Sequence, residues 1–460
     1  MRILRVAVLV VCAVAAAAAC APKRPAAVVP TGPLAQPSFT PVELAVAWNT
    51  ERVSWERPPL VRHAEVEARL KAVRADAPDL FQVEEIGRSV EGRSINHLWF
   101  GRGPLHVLLW SQMHGDEPTA TAALFDVAEQ FRRHRSEPAH ARILDALTIH
   151  IVPMLNPDGA ERFQRRNAQG IDINRDALRL QTPEGRALKG LRDRLNPAVG
   201  FNLHNQGWRT SAGKTGQPAA ISLLSVAGDE ARTETPGRLL TKQACALIRE
   251  ALEPLAPGRI ARYDDEFEVR AFGDNLTKWG TSVILIETGP WPAAEPDPYL
   301  IRLNFVAMMT ALDGLATGRA SQADTRPYTT LPINETDLFY LLVRNATVIA
   351  GTGVAPFTAD IGVAANRGVR VVDGRREPRL SARIEELGDL HNMSALESID
   401  ATGMFVAPLW DPALKAGDLV RLPDFTVRRA PRVIAVGEPV EFVILRRDGD
   451  RYVVERVIRY

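Results

Sequence analysis

Four short apolar runs in this 460-residue chain end in residues of the types that bind metals or move protons. His106 to Ser111 is followed by Gln112-Met113-His114-Gly115-Asp116-Glu117, and Leu147 to Met154 by Asn156-Pro157-Asp158-Gly159. Val199 to Leu203 ends at His204, and Ser282 to Ile286 ends at Glu287. A catalytic zinc site uses three imidazole or carboxylate ligands and keeps one position open for water, and His114, Glu117 and His204 supply such a set. His114 and Glu117 can chelate from one tight turn, where Gly115 permits unusual backbone angles and Pro118 suits a helix start. His-x-x-Glu is common by chance, so the pair carries weight only through the elements around it.

Those elements alternate. Helical spacing over His63 to Ala75 is followed by two strand-like segments, Phe81 to Ile86 and Ser94 to Phe100, around the turn Arg88 to Arg93. Apolar strands at His106 to Ser111, Leu147 to Met154, Val199 to Leu203, Ala219 to Val226 and Ser282 to Ile286 are separated by helical patterns at Thr119 to Arg133, Thr182 to Leu195 and Gly237 to Leu252, with another at Asp297 to Leu315. This predicts an α/β fold, a mixed and largely parallel sheet with helices on both faces. In such sheets ligands gather at the carboxyl ends of strands, which is where the polar clusters fall.

Further along lies Asn156-Pro157-Asp158-Gly159, then Arg165-Arg166-Asn167-Ala168-Gln169-Gly170-Ile171-Asp172-Ile173-Asn174-Arg175. With His-x-x-Glu before it and strand-end His and Glu after it, the order resembles the zinc carboxypeptidases of the carboxypeptidase A type. The segment Ile86 to Arg93 resembles that family's entry hairpin, and the likeness spans Leu60 to Arg319. The resemblance implies one Zn²⁺ held by His114, Glu117 and His204, with Glu287 as general base. Zinc lowers the pKa of a bound water toward ~7, and a nearby carboxylate can take its proton. It also implies Arg165 as the oxyanion donor, with Arg166 the alternative register, and Asn174 and Arg175 as the holders of a peptide's free C-terminal carboxylate. Asp172 would orient His114 from behind, and Tyr263 matches the substrate-covering tyrosine. The side-chain specificity position falls at Phe272, Gly273 or Asp274, and Asp176 stands where the family often has asparagine.

With 56 Lys+Arg against 55 Asp+Glu the formal charge is +1, which gives nucleic acid no electrostatic attraction. Arg2 and Arg5 precede an apolar run, Val6 to Ala19, too short to span a membrane and typical of a signal peptide over 1–19. Ala17-Ala18-Ala19-Cys20 resembles a bacterial lipobox, so Cys20 is expected to carry a lipid anchor on an exported, periplasmic or membrane-held protein. The domain reading is a Pro-rich tether over 20–58, a carboxypeptidase domain over 59–319, a linker over 320–332 and an all-β accessory domain over 333–460. Asp337-Leu338, Leu342 to Ile349, Ala359 to Val363 and Ile399 to Gly403 resemble the small β-sandwich of amidohydrolases, yet no histidine follows His391 to furnish their metal barrel. The expected function is removal of C-terminal residues from peptides. A zinc-dependent deacylase of N-acyl amino acids and a non-catalytic peptide-binding protein are the alternatives.

Overall fold

Every residue of Leu105–Trp110 except His106 is buried, as expected of a strand covered on both faces. The computed structural model describes residues 36–54, 61–292, 296–372, 375–423, 425 and 432–460. The expected signal peptide, Cys20 and the tether up to residue 35 lie outside the described residues. In chain order the first strands are β1 Gln82–Arg88, β2 Ser94–Gly101, β3 Leu105–Trp110, β4 Leu147–Val152, β5 Val199–Asn205, the short β6 Ser211–Ala212, β7 Ile221–Ser225, β8 Ile260–Arg262 and β9 Ser282–Thr288. All but β6 form one sheet in the order β1-β2-β4-β3-β5-β9-β7-β8. Its middle, from β4 through β3 and β5 to β9, is parallel, while β1, β2 and β7 join antiparallel to their inner neighbours. The sheet is therefore mixed, with a parallel centre.

Alternation along the strands divides the core. Val107, Leu109, Phe201, Leu203, Ile284 and Ile286 pack with helices Thr119–His134, Pro236–Leu252 and Pro296–Thr317. Leu108, Trp110, Val283 and Leu285 pack on the other face with helices Pro183–Leu195 and Phe272–Lys278. Because successive side chains alternate, His204 and Glu287 lie on this second face. The Pro296–Thr317 helix is long and apolar enough to cross a membrane, but 83% of its most apolar window is buried, which makes it a core helix here.

Two segments read as connectors are built into the core. The tether reading is corrected at Pro41–Glu51, which is a helix with Thr40 and Glu43 forming a capping box. Its Leu44, Ala45 and Trp48 are buried, and Trp48 Nε1 donates to Asp126 Oδ2 at 2.7 Å. Asp126 Oδ1 also accepts from the N–H groups of Val53 and Ser54. In the linker, Arg326–Thr329 is a helical turn and Tyr328 is buried, its hydroxyl accepting from the Ser225 N–H at 3.0 Å.

The C-terminal strands are β10 Asn334–Glu335, β11 Leu338–Val348, β12 Phe357–Val372, β13 Arg375–Gly388, β14 Ser394–Asp400, β15 Phe405–Pro408, β16 Leu419–Val420, β17 Glu441–Asp448 and β18 Arg451–Arg459. β10 pairs with β6, stitching the two halves together. The others form one sheet, β13-β12-β11-β15-β17-β18-β16, with β14 alongside β11. It curls around Leu341, Val343, Ile361, Ile384, Val406 and Phe442. Near its end β13 bonds back to the segment before β17, through Ile384 N–H to Glu438 O and Gly437 N–H to Ile384 O. The module is all-β, as expected, its strands joined in one hydrogen-bonded sheet.

Candidate metal centre

His204 and Glu287 stand directly opposite one another in the parallel register of β5 and β9, at the carboxyl ends of both strands. His114 reaches the same place from the loop after β3. That loop turns at Gln112, whose φ of 43° is left-handed. Gly115 is needed for a different reason than free backbone angles: a Cβ there would sit 2.0 Å from the backbone of Gly159. Two glycines thus let the His114 loop lie against the helix Pro157–Arg162.

The structure brings His114, Glu117 and His204 together, with a ligand atom of each within 4.8 Å of the others, and all three are buried. Both histidines present Nδ1. His114 Nδ1 is 2.8 Å from Glu117 Oε1, His204 Nδ1 is 2.7 Å from Glu117 Oε2, and the two Nδ1 atoms are 3.1 Å apart. Asp172 Oδ1 lies 3.1 Å from His114 Nε2 and can accept its proton, so Nδ1, which faces Glu117 and His204, is the nitrogen a metal would take in place of a proton. Two imidazole nitrogens and a carboxylate converging on one point suit Zn²⁺.

The electrostatics follow from burial and charge. Burial alone would lower His114, but the Glu117 carboxylate and hydrogen bonds to Asp172 and Glu117 lift it to about 9. In His204 burial prevails over the attraction of Glu117, and its pKa is lowered. Burial opposes the charge on Glu117, yet the two histidines hold it far below the usual carboxylate range. A metal must displace the His114 proton, so its affinity declines as pH falls. Burial and the Glu117 charge push Glu287 up to about 8, and its Oε2 is a buried atom with no protein partner.

The remaining residues named from the sequence gather around this cluster. Arg165 Nη1 is 3.1 Å from His114 Nδ1 and 3.4 Å from Glu117 Oε1, while its Nε donates to Asp172 Oδ2. Arg166 turns away and donates to the Gly170 carbonyl. Asp172 also caps the turn Ile173–Arg175 by accepting from the Asn174 N–H, so one carboxylate braces His114, Arg165 and the Asn174-Arg175 pair. Asn174 Oδ1 accepts from Phe272 N–H at 2.9 Å.

Arg175 is 36% exposed, and its Nε pairs with Glu268 Oε2 at 3.3 Å. Arg175 therefore sits at the rim of its cavity, half exposed rather than enclosed. Tyr263, Asn174, Arg175, His114 and Glu287 all line one cavity of about 330 Å³. The Glu287 charge and burial push the Tyr263 phenol up to about 12, which keeps it a neutral donor. Of the three specificity positions, Gly273 and Asp274 line this cavity, and Phe272 is fully buried beneath it. Asp176 accepts from the N–H groups of Gln181 and Thr182, fixing the start of the next helix.

Several residues that hold the site have roles their types do not announce. Asn156 Oδ1 caps the Pro157–Arg162 helix, and its Nδ2 reaches the carbonyls of Met113 and Arg165, tying the His114 loop to the Arg165 loop. Asp158, fully buried, accepts from Ser89 Oγ, Glu91 N–H and Arg93 Nη1, which ties the β1–β2 turn to the same helix. Glu268, the partner of Arg175, is five residues from Tyr263 and carries no spacing signal of its own.

Set beside known proteins, residues 66–215 match the model of a family described as zinc carboxypeptidase. Carboxypeptidase E of Caenorhabditis elegans is 32% identical over 134 residues, covering 25% of this chain and 28% of the relative. Carboxypeptidase M of Mus musculus is 30% identical over 128 residues, covering 24% of this chain and 29% of the relative. The matches to these two curated relatives thus span less than a third of their length. Among solved structures, a metallo-carboxypeptidase from Burkholderia cenocepacia aligns with a TM-score of 0.44 and 20% identity, over 54% of this chain and 69% of that one.

Proposed function

We propose that this chain, which carries the zinc carboxypeptidase match over residues 66–215, is a metallocarboxypeptidase that removes the terminal residue from peptides with a free C-terminus. The observation that carries this reading is a single cavity holding three kinds of group: the metal-cluster residue His114, the acid Glu287 and the Asn174-Arg175 pair. A metal hydrolase needs the first two, and only an exopeptidase needs the third. Zn²⁺ held by His114, Glu117 and His204 would supply Lewis-acid activation of water and of the scissile carbonyl.

The protein's own residues do the rest. Glu287 takes a proton from the attacking water on Oε2 and later delivers it to the departing amine as the C–N bond breaks, so it ends as it began. Its raised pKa suits both halves of that exchange. Arg165 is a fixed donor beside the metal ligands, placed for negative charge developing on the carbonyl oxygen; one such donor is worth about 10²-fold to 10³-fold in rate. Arg175 receives the substrate carboxylate, which competes with Glu268 for the guanidinium. Asn174, its Oδ1 already engaged by Phe272, offers its amide N–H₂. Tyr263 contributes a neutral hydroxyl donor from the cavity wall.

The test is a pair of identical peptides, one a free acid and one an amide. An Arg–carboxylate contact of this kind is a charge-assisted hydrogen bond, so kcat/KM for the acid should exceed that for the amide about ten-fold. Arg175→Ala should remove most of that preference and leave zinc content unchanged. Equal cleavage of both by the parent protein would move the assignment to an endopeptidase or a deacylase.

A further inference from the structure

A second cavity, of about 290 Å³, also opens on the metal cluster. It is bordered by Glu117 and meets the first cavity at Arg165 and the loop Asn205 to Gly207, which line both. None of the carboxylate-binding residues reaches it. Part of its wall comes from the other half of the molecule, since Asn366 and Arg367 on β12 line it.

Arg367 is held in place there. Its Nη1 and Nη2 donate to the two carboxylate oxygens of Asp297 at 2.7 and 3.1 Å, and its guanidinium lies 4.7 Å from the centre of the Trp208 ring. Trp208 in turn packs edge-on against Tyr340 of β11 at 5.4 Å. The loop between His204 and β6 is gripped further along by the same module: Asn334 Nδ2 donates to Gln206 Oε1, and Leu338 N–H donates to the Arg209 carbonyl. Gln206 N–H donates to the Thr288 carbonyl, one residue past Glu287. The contacts of the C-terminal module therefore fall on the wall of the cleft and on the loop leaving a metal ligand.

We infer that the C-terminal β module forms one wall of the substrate cleft, and that this second cavity takes the peptide residues upstream of the scissile bond. The inference rests on the carboxypeptidase reading. With the terminal carboxylate at Asn174 and Arg175, the chain beyond the bond must leave past Arg165, and the space sharing Arg165 is this one. Phe163, Trp208, Trp291 and Leu300 give it an aromatic and apolar lining, which suits an apolar side chain two or more residues before the cut. Asn366, exposed at the rim, offers an amide to the peptide main chain. The charge of Arg367 is balanced by Asp297, so Arg367 acts as a positioning residue for Trp208 rather than as a free cation.

The experiment compares two N-acetylated peptides ending in the same two residues, a dipeptide and a tetrapeptide with two upstream leucines. Both are titrated calorimetrically into the zinc-loaded full chain carrying Glu287→Gln. The tetrapeptide should bind ~10-fold tighter, the scale of burying one leucine side chain. Adding Arg367→Ala should cut that gain to about three-fold or less, with dipeptide affinity and zinc content unchanged. Asn366→Trp, at an exposed position that burdens folding little, should do the same by filling the cavity. A tetrapeptide that binds no tighter than the dipeptide, or variants that weaken both peptides equally, would overturn the inference. Failure of the carboxypeptidase reading shows separately, as a zinc-loaded parent protein that shortens no peptide.

Discussion

In the proposed mechanism the chemistry turns on Glu287, whose environment makes a pH signature. Burial and Glu117 raise its pKa, and it accepts a proton only when ionised, so kcat/KM should rise with pH through its titration. A bound dication opposes the Glu117 charge, so in zinc-loaded protein that limb lies below pH 8. Glu287→Gln should keep its zinc, lose at least ~10²-fold in kcat and show no such limb. An unchanged pH profile in this variant would assign the base to another carboxylate. The residues of this site were legible because the metal-ligand types fall at strand ends, where a parallel sheet gathers them. What spacing does not carry is bracing: nothing in the types of Asn156, Asp158 or Glu268 says which loop each will hold. Gly115 was read for its backbone freedom, whereas its small size against Gly159 is what the packing requires.

Strands and long helices were legible at the level of elements, since alternation and helical spacing survive wherever a face is buried. The helix Pro41–Glu51 was not, because its apolar residues Val42, Leu44, Ala45, Val46, Ala47 and Trp48 run together without a one-sided helical stripe in a proline-rich stretch, and its strongest anchor is a tryptophan bonded to an aspartate nearly eighty residues away. Spacing also says nothing about the histidine ladder across β2, β4 and β3. His97 Nε2 is 3.0 Å from His150 Nδ1, and His150 Nε2 is 3.0 Å from His106 Nδ1, with the rings stacked. Burial, then the charges of His97 and His106, push His150 down to about 3. Unfolded, this imidazole takes a proton near pH ~6.5, so the unfolded state binds more protons and stability is lost as pH falls from there toward 3. His150→Gln should reduce the drop in Tm between pH 7 and pH 4.5. An identical drop in both proteins would mean that the ladder does not report acid sensitivity.

At the scale of the whole molecule, the two halves are joined by β6–β10 pairing and by ion pairs that include Arg209 with Glu385 at 3.1 Å, so the accessory module sits against the cleft. The N-terminal apolar run and Cys20 support export with a lipid anchor as our proposal. Expressed from its full-length gene in a bacterium, the protein should sediment with membranes, and Cys20→Ala should release it or block processing; a soluble wild type would leave only an ordinary signal peptide. The central claim is zinc-dependent removal of residues from a free C-terminus. Its most direct measurement is mass spectrometry of a mixed peptide library incubated with the zinc-loaded protein. The expected result is a ladder of products each shorter by one C-terminal residue, abolished by a chelator and restored by zinc. Internal cleavage, or the same ladder from rigorously metal-free protein, would contradict it.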